Sequence, residues 1–170
     1  MYNKILCGCD TDAIYIVLVD LKESASMIQK MEKSELKKVL ILDDDPRYQN
    51  KASLIISGQY EAICPKCSEV VAGINDNLGE YLMNIIKNEN PNVILTDITY
   101  GYSPKLMYAG LEISRFIKEN YPGIPVIGMT NGFCQQEEIK TSGMFRLIAK
   151  TWLKTGLLSA IQECLDSKQQ

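Results

Sequence analysis

The chain has 170 residues, a net charge of −3 and no histidine. That length suits one domain with a sizeable core, or one domain plus an extension. The acidic balance gives no basic patch for nucleic acid, and the missing imidazole excludes Ser-His-Asp and Cys-His catalysis, histidine metal ligation and a phosphohistidine of its own.

Residues 1–37 read as an N-terminal extension. Within it, "KILCGC" and "AIYIVLV" (13–19) fit a hairpin, and 21–36 a polar helix with a thin stripe of Met27, Ile28 and Met31. That stripe packs on the core or serves a homodimer or partner contact. The run 13–19 is far shorter than the roughly 20 residues that span a bilayer, so no membrane association is expected. Asp10 and Asp12 just before it argue against a signal peptide. The protein is expected to be cytoplasmic. Its six cysteines then read as free thiols or metal ligands rather than disulfides.

From residue 38 onward, strand-like and helix-like patterns alternate. "KVLILD" is a buried strand that runs into Asp43, Asp44 and Asp45, and Asp45 can cap a helix with Pro46 in its first turn. That helix is expected over 46–57. "SEVVAGI" (68–74) is strand-like. Leu78, Leu82, Ile85 and Ile86 form a helical face, with Asn77 as N-cap and Pro91 as terminator. "NVILTD" (92–97) is a strand that ends in Asp97. Ala109, Ile113, Phe116 and Ile117 predict a helix closed by "NYPG". "IPVIGMT" (124–130) and "FRLIAK" (145–150) are the last strands. Leu153, Leu157, Ile161 and Leu165 predict the C-terminal helix.

This order predicts an α/β fold: a doubly wound, five-stranded parallel sheet with flanking helices over 38–170. Ligands of such sheets bind beyond the carboxyl ends of the strands. There stand Asp43, Asp44 and Asp45, then Asp97, Thr130 and Lys150. Clustered aspartates without histidine suit a hard cation with oxygen ligands, most simply Mg²⁺. An aspartate beside such an ion can act as a nucleophile toward phosphorus.

The set "VLILDDDP", "PNVILTDI", "GLEISRFI" with "IPVIGMT", and "GMFRLIAK" resembles the receiver domain of two-component response regulators, over roughly residues 38 to 166. The resemblance implies a flavodoxin-like receiver fold and Mg²⁺ bound by Asp43, Asp44 and Asp97, with the main-chain carbonyl of Thr99 as a further ligand. It implies phosphorylation of Asp97 from a partner histidine kinase or histidine phosphotransfer protein. Thr130 would be the switch hydroxyl and Lys150 the family's lysine. Phosphorylation would draw Thr130 inward and signal to a downstream protein through the fourth helix and the last strand and helix. Such a domain is a phosphoacceptor rather than an enzyme. About four residues follow the last helical pattern, so a stand-alone receiver is expected.

Several positions depart from the family pattern. The stretch from Asp44 to Asp97 is longer than usual, with the extra length expected in "YEAICPKCSEVV". The loop "ITYGYSPKLMYAG" after Asp97 is also long. Asn131 stands where the family prefers a small residue, Leu147 replaces the switch aromatic, and Thr151 replaces the proline after the lysine. One alternative is therefore a phosphorylation-independent interaction module on the same fold. Another is a haloacid dehalogenase-type phosphatase, since Asp43-x-Asp45 matches its opening motif; it would need a further acidic pair after the lysine, where only Glu163 and Asp166 follow, inside a helix. "CPKC" has the spacing of a zinc knuckle. With no histidine, a Zn²⁺ site would need Cys7, Cys9, Cys64 and Cys67; the alternative is separate thiols. A redox Cys-x-x-Cys is disfavoured because "CPKC" is not expected to open a helix. Cys134 and Cys164 read as ordinary.

Overall fold

A computed structural model describes residues 36–101, 106–132 and 136–167. The expected hairpin, the helix over 21–36, Cys7, Cys9 and Cys134 lie outside the described residues. Strand β1 (Lys38–Leu42) leads into α1 (Pro46–Ile56), followed by β2 (Glu61–Ile63) and α2 (Cys67–Glu89). Then come β3 (Val93–Asp97), α3 (Ala109–Asn120), β4 (Val126–Thr130) and α4 (Gln136–Ser142). The chain continues through β5 (Arg146–Ala149) and a 3₁₀ turn (Lys150–Trp152) to α5 (Leu153–Asp166). The sheet is parallel throughout, in the order β2-β1-β3-β4-β5.

The strands are apolar on both faces because helices cover both. Val39, Ile41 and Leu95 meet Ala52 and Ile56 of α1 and Leu153, Leu157 and Ile161 of α5. On the other face, Leu40, Leu42 and Ile94 meet Leu82 and Ile86 of α2 and Ile113 and Ile117 of α3. The two sets alternate along each strand, as a pleated backbone requires. α1 starts as its sequence predicts: the Asp45 carboxylate accepts from the Arg47 amide at 2.9 Å, and Pro46 follows. α2 ends at Asn90, in the left-handed region (φ 49°), just before Pro91.

One predicted element is of the wrong type. Residues 68–74 are helical, not extended, and belong to the first segment of α2. The second strand is the shorter Glu61–Ile63, so the expected extra length between Asp44 and Asp97 includes this strand and the start of α2. Val70 is fully buried, and its β-branched neighbour Val71 had suggested a strand. The i, i+4 pair Val70 and Ile74 instead packs on the core around Leu82. α2 breaks at Asn77 (φ −156°, ψ 89°). Its side chain caps the second segment: Oδ1 accepts from the Glu80 amide at 3.2 Å, and Nδ2 donates to Glu80 Oε2 at 3.2 Å.

Register sets the rim where the site lies. Leu42 pairs with Thr96, Asp97 with Met129, and Thr130 with Ala149. The residues that leave β1, β3, β4 and β5 therefore emerge in step. After β1 the chain winds outward to β2, and after β3 it winds the other way to β4. The crevice between β1 and β3 is the switch point of the sheet. Helix α3 closes on this rim through Gly110. A Cβ there would lie 1.9 Å from the Asp97 carbonyl oxygen, so only glycine permits the approach.

Candidate functional site

The three aspartates after β1 hold three different positions. Asp45 is turned to the surface, paired with Arg47 at 2.6 Å, and its carboxyl is held down at about 2 by that guanidinium. Asp43 is fully buried. Its Oδ1 accepts from the Asp45 amide at 2.9 Å, and its Oδ2 lies 2.8 Å from Lys150 Nζ. Asp44 is half-buried and accepts from the Gly101 amide at 2.6 Å. Gly101 sits at φ 58°, a conformation that favours glycine. The repulsion implied by three adjacent carboxylates is thus relieved by separation and by one buried cation.

That cation is Lys150, which is 2% exposed. Its ammonium also hydrogen-bonds Asp97 Oδ2 at 2.7 Å. Burial would lower the lysine's pKa, but its hydrogen bonds to Asp43 and Asp97, with their charges, prevail and raise it. Burial pushes the Asp97 carboxyl up to about 6 against the opposing pull of Lys150. Burial raises Asp43 too, and Lys150 again opposes it. Thr130 is buried beside them, and its hydroxyl bridges the Gly132 amide (3.0 Å) and carbonyl (3.3 Å). An open cleft of about 410 Å³ lies over Asp44, Asp97, Thr99, Thr130 and Lys150.

The cluster has the donor set of a hard-cation site. Carboxylate oxygens of Asp43, Asp44 and Asp97 lie within 4.8 Å of one another. Asp43 Oδ2 is buried, and the Lys150 ammonium stands 2.8 Å from it. An all-oxygen carboxylate set of this kind fits Mg²⁺. Thr99 lines the same cleft, and its amide hydrogen-bonds the Asp97 carboxylate. The cleft is thus lined by Asp44, Asp97, Thr99, Thr130 and Lys150, with Asp43 buried against Lys150.

Of the four zinc candidates, only Cys64 and Cys67 are among the described residues. Cys7 and Cys9 lie outside the described residues, and Cys64 and Cys67 are free thiols. "CPKC" does open a helix, contrary to expectation, because Cys67 is the first residue of α2. No turn or bend joins the two cysteines, and Lys66 between them is extended (φ −60°, ψ 135°). That extension opposes both the tight turn of a knuckle and the close Cα approach of a disulfide. Among the described residues, the only cluster suited to a metal is the aspartate one. Cys164 is buried in α5, in the core.

Sequence reasoning missed three contributors. Tyr48 stacks on Lys150, with the ammonium 4.2 Å from its ring centroid. Gly101 donates to Asp44. Tyr100 is fully buried, its phenol donating to the Leu42 carbonyl at 2.9 Å and lying 2.7 Å from the Thr96 hydroxyl. The loop after Asp97 is thereby tied back to the end of β1. The one available signal was the clustering of Tyr100 and Gly101 directly after a strand end.

No family model matches the sequence, and no curated protein matches it. Solved structures do. A receiver domain protein (CheY-like) from Methanospirillum hungatei JF-1 is 26% identical at TM-score 0.59, over 79% of this chain and 98% of that one. A LuxR-family DNA-binding response regulator from Staphylococcus aureus is 23% identical at TM-score 0.57, over 76% and 99%. The signal receiver domain of a modulated diguanylate cyclase from Desulfovibrio desulfuricans G20 is 19% identical at TM-score 0.61, over 79% and 98%.

Proposed function

The chain has the receiver fold of response regulators, and we propose that residues 38–170 are a working phosphoacceptor domain whose acceptor is Asp97. The observation that carries this reading is the buried Asp97 carboxylate, held at the end of β3 by Lys150 and flanked by Asp43 and Asp44. Asp43, Asp44 and Asp97, with the Thr99 carbonyl, would hold Mg²⁺, which supplies charge neutralisation for phosphoryl oxygens. An Asp97 carboxylate oxygen forms the new P–O bond while the P–N bond to the donor's phosphohistidine breaks, and the departing imidazole takes up a proton. Lys150 and the Thr130 hydroxyl hold the phosphoryl oxygens, which requires Thr130 to leave its turn with Gly132.

The donor is a histidine kinase or a histidine phosphotransfer protein, and the output is a protein contact. No helix among the described residues is long and apolar enough to cross a membrane, and a cytoplasmic location accords with this role. The phosphatase alternative loses support. Glu163 pairs with Arg146 and Asp166 accepts from Gln162, both exposed, and neither lines the cleft. The test is intact mass after incubation with acetyl phosphate and Mg²⁺, for the natural sequence and Asp97→Asn. One phosphoryl adduct in the natural sequence alone is expected. No adduct would transfer support to the phosphorylation-independent interaction module.

A further inference from the structure

Lys150 has three partners, and two of them change during the proposed reaction. Asp97 surrenders a carboxylate oxygen to the P–O bond. Asp43 shares its charge with the cation. The third partner is the face of Tyr48, 4.2 Å from the ammonium, and neither event removes it. Tyr48 stands in the first turn of α1, its amide bound to the Asp45 carbonyl at 3.1 Å. Its phenol oxygen accepts from Asn131 Nδ2 at 3.1 Å. Asn131 directly follows Thr130, so the ring is fixed between α1 and the end of β4. The ring lines the same cleft as Asp97 and leaves the lysine almost wholly covered.

We propose that Tyr48 is a positioning residue for phosphoryl transfer: its ring face holds the Lys150 ammonium in place while the lysine's carboxylate partners are neutralised. This rests on the phosphoacceptor reading. The attraction is that of a cation for the negative face of an aromatic quadrupole, and it strengthens where water is excluded. It needs the face and not the phenol. Phenylalanine therefore preserves it, whereas methionine fills the space without supplying it. The aromatic at this cleft comes from α1, while Leu147 occupies the position of the family's switch aromatic.

The test compares Tyr48→Phe with Tyr48→Met. The first readout is the rate of adduct formation from acetyl phosphate and Mg²⁺. The second is acylation of Lys150 by acetic anhydride, read by peptide mass without metal or phosphodonor. Methionine is expected to slow adduct formation about 5- to 30-fold, the range set by a desolvated cation–π contact, and to speed acylation of Lys150. Phenylalanine is expected to restore both to within about twofold of the natural sequence. Methionine matching the natural sequence in both readouts would overturn the proposal, as would phenylalanine failing like methionine. If the natural sequence forms no adduct, the phosphoacceptor reading fails by itself. Acylation then decides the Tyr48–Lys150 contact: faster labelling in the methionine variant supports it, and unchanged labelling overturns it.

Discussion

Asp97→Asn is expected to stabilise the metal-free protein at neutral and alkaline pH while it abolishes phosphorylation. The Asp97 carboxyl rises from an ordinary 3.8 to about 6, because burial outweighs the attraction of Lys150. For an acid raised in this way, the folded state holds the proton that the unfolded chain has released. Stability therefore falls as pH rises from about 4 to about 6 and then levels off. At about 1.4 kcal/mol per pH unit, the ionised carboxylate costs the fold about 3 kcal/mol above that window. Asparagine keeps the shape and removes the charge. Urea unfolding without metal should show the variant more stable by up to about 3 kcal/mol near pH 8, with the difference vanishing near pH 4. Mg²⁺ should narrow the gap, since it binds the natural site and stabilises by mass action. A variant equal to or weaker than the natural sequence at pH 8 would refute the claim that Asp97 is held ionised against its environment.

Removing the cation should do the reverse. Lys150→Met leaves Asp43 and Asp97 buried without their partner and should cost about 3–5 kcal/mol at pH 7, less at pH 5, where protonation relieves it; thermal melts at the two pH values measure this. Asp45→Ala removes the helix cap and an exposed pair with Arg47, so it should cost about 1 kcal/mol in urea unfolding. Its rate of adduct formation should stay within about twofold of the natural sequence, which separates Asp45 from its two neighbours. Gly110→Ala drives a methyl group into the Asp97 carbonyl, so α3 must move off the rim. A loss of about 1–3 kcal/mol in unfolding and slower phosphorylation are expected together.

How much of this was legible in the sequence depends on range. β1, β3 and β4 are runs of apolar residues that need covering on both faces, and each names its own type. Asp43, just past β1, and the terminal residues Asp97 and Thr130 are then fixed to one rim by parallel pairing alone. Lys150 follows by the same logic, as the first residue past β5. Asp45 and Asn77 were readable as caps because capping is settled within three residues. β2 was not, because it is three partly exposed residues with no apolar run. Val70 and Val71 supplied a false strand nearby, and only tertiary packing against Leu82 decides for helix.

The contacts that complete the site are of another kind. Tyr48 meets Lys150, and Gly101 meets Asp44, across distances in sequence that no local pattern encodes. A tyrosine in the first turn of an amphipathic helix reads as a core residue, and part of its ring is one. Only the packing of α1 against β1, β2 and α5 gives the same ring a buried ammonium to face. The chemistry-bearing residues are thus predictable because the sheet forces them together. The residues that position them depend on how each helix settles against that sheet, as Tyr48 does when α1 lays its ring against the Lys150 ammonium.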